Sequence, residues 1–241
     1  MLVYNETGKT KSGELRITRP ISSLLIRTSK KLSELANEKI TIFIEKANGN
    51  NVEIATNISL VAFMMGGTYG ESGTFQMQLD GSVVNTAMVE LSETGSVLLG
   101  ENESIKILLT DLTSTATYAI NGMESPIKGS DIVKYERKVV LTEDVQRKYD
   151  VSSHELMILD GVSHIDQAHI TYNNGETIKL TSDEIKAVAL DVDVLTAIEG
   201  GSVVTYVNDL IVFPLVGVDA IELFKSNGLI TLTLKDANLN Y

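Results

Sequence analysis

The chain has 241 residues, a formal net charge of −12, 43% hydrophobic residues, no Cys and no Trp. Those values exclude disulfide and thiolate chemistry, and they count against general nucleic-acid binding, which needs a positive face for phosphates. Apolar content is that of a globular chain; no apolar run approaches the ~18 residues that span a bilayer, and the length suits one large β domain or two of roughly 105 residues.

In chain order, the opening MLVYNETGKTKSG has no continuous apolar stretch of the kind a secretory signal requires. Eight Lys or Arg fall in residues 1–39 against four Glu, so this segment is basic while the body is acidic. Such a segment reads first as a solvated arm, and second as a surface for anionic lipid or packaged genome. Strands are expected over 15–18, 23–27 and 40–44, where Ile40, Ile42 and Ile44 share one face. After the Asn48-Gly49 turn a further strand leads to a short helix over 57–65. Gly66–Gly73 then reads as a helix stop and loop. Strands follow over 75–79, 83–91, 105–109 and 115–120. The segment around Pro126 has no periodicity and reads as a linker, and 142–148 as a helical turn. The second half continues with strands over 156–159, 169–172, 177–180, 203–207, 210–215, 220–224 and 229–235, and a helix over 183–190. About eight strands per half is the number a jelly roll requires.

Six Asn-Gly or Asp-Gly dipeptides punctuate the chain, at Asn48, Asp80, Asn121, Asp160, Asn174 and Asn227. They predict type I′ hairpin turns, in which both central residues adopt positive φ. Some recur at matching places. A shift of 126 aligns Ile44 with Ile170, Asn48-Gly49 with Asn174-Gly175, Val52 with Ile178, and Thr56 with Ser182 as helix caps. A shift of 125 aligns Leu98 with Leu223, Ile105 with Ile230 and Asp111 with Asp236. The chain therefore reads as a duplicated all-β protein.

The sequence nominates no catalytic or cofactor-binding residue. His154, His164 and His169 match no metalloprotease or cupin spacing, and Gly8-Lys9-Thr10 lacks the upstream glycine and strand of a P-loop. Metal binding is left open: Asp191 and Asp193 offer two carboxylates, short of the six to eight oxygens Ca²⁺ takes. Sequons at Asn5, Asn57 and Asn102 matter only in a eukaryotic secretory setting.

The segments IFIEKANGNNVEIATNISLVAFM (42–64) and AHITYNNGETIKLTSDEIKAVAL (168–190) each run strand, Asn-Gly turn, strand, capped helix. In that tandem pattern the chain resembles the double jelly-roll major capsid proteins of tailless icosahedral phages with an internal membrane, the corticovirus and tectivirus kind. The resemblance implies an all-β fold of two tandem eight-stranded jelly rolls with short helices in the connections. The organisation expected is an N-terminal arm over 1–13, a first jelly roll over 14–122, a linker over 123–135 and a second jelly roll over 136–241. It further implies a structural, non-enzymatic capsid protein that trimerises into pseudo-hexagonal capsomers of an icosahedral virion, assembled in the host cytoplasm. Its partners would be neighbouring capsomers, minor capsid proteins and, through the basic N-terminal segment, the internal lipid membrane, with no sequence-specific nucleic acid. Three other classes fit less well: a phage vertex or spike protein, a carbohydrate-binding module short of aromatics, and a hydrolase using a pair such as Glu90 and Glu93.

Overall fold

The structure, a computed structural model, describes residues 1–69, 75–79, 82–92, 95–126, 132–141, 143–192, 197–199, 202–204 and 209–240. The first half contains β1 (Leu2–Thr7), β2 (Gly13–Ile17), β3 (Ser23–Thr28), β4 (Lys39–Glu45), β5 (Asn51–Ser59), α1 (Leu60–Thr68), β6 (Phe75–Leu79), β7 (Ser82–Glu90), β8 (Ser104–Thr110) and β9 (Thr117–Met123). The second contains β10 (Ile132–Leu141), β11 (Gln146–Asp150), β12 (Leu156–Asp160), β13 (Ile165–Tyr172), β14 (Thr177–Leu180), α2 (Ser182–Val192), β15 (Ala197–Glu199), β16 (Ser202–Val204), β17 (Leu210–Pro214), β18 (Val218–Lys225) and β19 (Ile230–Asn240).

Sheet order shows two copies of one topology. In the first half, β1-β9-β3-β7, extended by β6, faces β2-β8-β4-β5; in the second, β10-β19-β12-β17 faces β11-β18-β13-β14. Numbered within each half, and leaving out β6, β15 and β16, both pairs read 1-8-3-6 and 2-7-4-5. That is the eight-stranded jelly roll, with a helix between the fifth and sixth strands each time. The rolls are joined edge to edge: β5 of roll 1 pairs in parallel with β10 of roll 2, Ala55 opposite Glu136, giving one sheet of eight strands.

This topology sorts the sequence offsets. From Lys39 to Ile165, the starts of β4 and β13, is 126 residues, so the first alignment matches equivalent strands. The 125 alignment does not, because it sets β8, the seventh strand of its roll, against β19, the eighth of the other. The true partner of β8 is β18, offset by 114 residues from Ser104 to Val218. Short Ile- and Leu-rich strands of similar length look alike to any fixed shift, and the connections differ in length between the rolls.

Residues 1–13 are not a free arm. Leu2–Thr7 is the first strand of roll 1, antiparallel to β9, with Tyr4 buried and the Met1 ammonium donating to the Gly122 carbonyl at 2.8 Å. Lys9 and Lys11 stand in the exposed turn between β1 and β2. The expected linker shortens as well, since Met123 ends β9 and Ile132 opens β10; residues 127–131 lie outside the described residues. The expected helical turn over 142–148 gives way to β11, which pairs with β18 from Gln146 onward; residue 142 lies outside the described residues.

The turns also differ from the type I′ expectation. In the β4–β5 and β13–β14 hairpins only the glycine has positive φ, +83° at Gly49 and +85° at Gly175. Gly49 N–H donates to the Lys46 carbonyl and Lys46 N–H to the Asn50 carbonyl, with the same pair of bonds among Tyr172, Gly175 and Glu176. This is the three-residue loop that ends in a left-handed glycine. Asn121-Gly122 lies inside β9, Asp160-Gly161 ends β12, and Asn227-Gly228 turns between β18 and β19. Asp80-Gly81 lies outside the described residues. A Cβ on Gly175 would meet nothing within 4 Å, so Gly175→Val isolates the backbone cost of a β-branched residue at positive φ. That cost is about 1–3 kcal/mol, a melting point lower by roughly 2–12 °C. An unchanged melt would show that the hairpin closes without a left-handed residue.

Candidate functional site at the junction of the rolls

Helix α1 is LVAFMMGGT, and all nine of its residues are buried. Apolar on every side, it cannot rest on a single sheet. It begins where Leu60 N–H donates to the Glu38 carbonyl at 2.8 Å. It runs through Gly66 and Gly67 rather than stopping there, and a Cβ on Gly67 would clash with the Val89 side chain of β7. On its other side α1 meets β12 and β17 of roll 2. This explains why both strands lack a polar face. Met157, Leu159, Ile211 and Phe213 fill the core of roll 2, while Leu156, Ile158, Leu210 and Val212 join the core cluster that contains α1.

The C-terminal turn of α1 has no basic residue of its own. Lys235, buried on β19 of roll 2, supplies one: its Nζ donates to the Gly66 carbonyl at 2.9 Å. A cation at a helix C-terminus satisfies an orphan carbonyl and complements the dipole.

Beside the start of α1, Glu38 collects the loops of roll 1. Its Oε1 accepts from Lys30 Nζ at 2.8 Å, Thr113 Oγ1 at 2.8 Å and Tyr118 OH at 2.9 Å, and its Oε2 from Asn37 N–H at 3.2 Å. Burial pushes the carboxyl up. The bonds from Lys30, Thr113, its own backbone N–H and Tyr118 outweigh burial and hold it at about 2. Burial, together with the Glu38 carboxylate, raises the Tyr118 phenol above its ordinary range. Neither Lys235 nor Glu38 carries a sequence signal; each looks like a surface charge at a strand end.

Helix α2 differs from α1. Glu184 accepts from Thr181 N–H at 2.8 Å and Thr181 Oγ1 at 2.9 Å, a capping box one residue before the expected Ser182. Ile185 and Ala189 turn into the core of roll 2, whereas Ala187 and Val188 are exposed.

The histidines are dispersed. His169 Nε2 lies 2.9 Å from Gln167 Oε1, with its ring against Phe224. The His164 ring packs where a side chain on Gly228 would stand. His154 lies beside Ser153, and Asp166 accepts from Ser226 Oγ at 3.2 Å. No three His, Asp or Glu side chains gather to hold a metal among the described residues. Glu93 and Asp193 lie outside those residues, so neither proposed carboxylate pair is described.

No family model and no curated protein matches the chain. Among solved structures, the PBSX exported protein XepA (10% identity, 98% of this chain and 86% of that one, TM-score 0.24) and YhaK from Escherichia coli (11%, 98% and 83%, 0.25) are too distant to support an argument. The major capsid protein P2 from bacteriophage PM2 is similar over 97% of this chain and 93% of its own, with a TM-score of 0.51 at 8% identity. The chain thus shares its all-β, jelly-roll-type fold with a phage major capsid protein.

Proposed function

We propose that this chain is a structural, non-enzymatic major capsid protein that trimerises into pseudo-hexagonal capsomers of an icosahedral virion. The observation that carries the reading is the joining of two equivalent rolls through the β5–β10 pairing and the shared helix α1, which sets the two side by side within one chain. Two like domains per chain let three chains approximate sixfold symmetry without six identical subunits. The end-to-end likeness in fold to the PM2 capsid protein supports the same reading. Contacts with neighbouring capsomers and minor proteins follow from that role. Membrane contact, if part of assembly in the host cytoplasm, falls to the Lys9 and Lys11 turn rather than to a detached arm.

Light scattering on the purified full chain tests the oligomer. The expected species has three times the chain mass of 26.2 kDa, and electron microscopy should show compact six-cornered particles. A single-chain mass at all concentrations would overturn the reading.

A further inference from the structure

The contact between the rolls is head to tail, and each chain contains it once while carrying both of its halves twice. Roll 1 gives the β5 edge and α1; roll 2 receives them on the β10 edge and on the outward face of β12 and β17. Under the strand correspondence, roll 2 has its own giving side, the β14 edge and α2. Roll 1 has its own receiving side, the β1 edge and the outward face of β3 and β7. Both are unpaired sheet edges among the described residues.

Equivalent rows on the two receiving faces differ in a telling way. In roll 2, Thr233, Ile158 and Val212 lie side by side across β19, β12 and β17, and Ile158 and Val212 are 1% and 4% exposed beneath α1. In roll 1 the matching row runs Leu2, Asn121, Leu25, Met88 across β1, β9, β3 and β7. Leu2 is 59% and Met88 40% exposed. In the middle of this face Arg27 donates to Asn121 Oδ1 at 2.7 Å, while its buried Nε has no hydrogen-bond partner among the described residues. On the giving side of roll 2, Ile178 of β14 is paired with the fully buried Ile170 yet is 43% exposed, and Val188 of α2 is 36% exposed. The receiving row is thus dry inside the chain, where α1 covers it, and its counterpart in roll 1 is wet at both flanks, the pattern of an interface awaiting its other half.

We infer that the β1 edge and the outward face of β3 and β7 in one copy receive the β14 edge and α2 of a second copy, repeating between chains the contact that β5 and α1 make within one. This deepens the capsid reading and rests on it. A heterologous contact of this kind closes a ring if each roll turns by about 60°, which three chains of two rolls complete. The acidic first turn of α2, Asp183 and Glu184, matches a face that carries Arg27.

The test uses full-length chains bearing Met88→Glu on the receiving face, or Ala187→Glu with Val188→Glu on the helix. All three positions are exposed, so circular dichroism and melting should match wild type. Each variant alone should run as one chain. Mixed in equal amounts they should form a species of two chains, because the intact α2 of one meets the intact face of the other. Val145→Glu, at an exposed position between β10 and β11, should keep the three-chain mass. If a carboxylate variant melts early, Met88→Gln and Val188→Gln carry the same comparison. Folded variants that remain trimers, or a mixture that stays single-chain, would overturn the surface while a wild-type trimer leaves the capsid reading standing. A wild-type chain that never leaves single-chain mass would overturn both.

Discussion

Glu38→Ala should be among the most damaging single substitutions, costing about 3–5 kcal/mol and lowering the melting point by roughly 6–20 °C. The side chain is 1% exposed and pairs with a Lys30 ammonium that is itself 16% exposed. Removing the carboxylate leaves that cation largely buried with only Thr113 Oγ1, at 3.0 Å, beside it among the described residues. It also takes the acceptor from Thr113 and Tyr118, so the β3–β4 and β8–β9 connections lose their common anchor. Because Leu60 at the head of α1 bonds to the Glu38 backbone, the disturbance reaches the junction helix. A melt within a degree of wild type would show that the cluster is incidental.

The same group sets an acid response. Its folded carboxyl sits at about 2 against an ordinary 4.5. A carboxylate depressed in the folded state contributes stability that is complete above the unfolded value and is lost as pH falls through the folded one. The window is therefore pH 4.5 down to 2, and the contribution at stake is about 3 kcal/mol. Denaturant titrations at pH 7, 4.5 and 2 should show wild type losing at least this amount across the window, because Glu103, Asp150 and Glu184 are also held below the ordinary carboxylate range by their hydrogen bonds. Glu38→Gln, less stable at pH 7, should lose correspondingly less between 4.5 and 2.

The repeat that was legible in the sequence is the one held by turn chemistry. Asn48-Gly49 and Asn174-Gly175 end their loops on a left-handed glycine, a requirement that holds whatever residues the flanking strands carry. Alternation placed β4, β6 and β14 closely for the same reason: one face of each period was apolar. The junction was not legible. α1 lies between two rolls, so it has no polar stripe to set its phase, and Gly67, which with Gly66 looks like a stop, lets the helix approach Val89. In β12 and β17 the continuous apolar runs gave strands without saying that each face serves a different core. β1 was hidden by its exposed edge, where Leu2, Asn5, Glu6 and Thr7 dilute the pattern around Tyr4.

Phe63→Ala should test whether that junction holds the tile together. Phe63 is among the largest fully buried side chains and stands at the middle of α1. Truncating it costs the lost transfer energy plus a cavity, about 3–5 kcal/mol. The rigid sheets on both sides, β7 of roll 1 and β12 and β17 of roll 2, limit how far the site can collapse, which favours the upper end. The distribution of the loss matters more than its size. Cores of the two rolls are tied through Leu156, Ile158, Leu210 and Val212 around α1, and through Lys235 on the Gly66 carbonyl. Wild type should therefore unfold in one calorimetric transition. Phe63→Ala loosens roll 1 and the tie together, so roll 1 should separate as an earlier transition while the core of roll 2 melts nearer its original temperature. A variant that still melts in one step, merely displaced, would mean that the β5–β10 pairing alone is enough to couple the rolls.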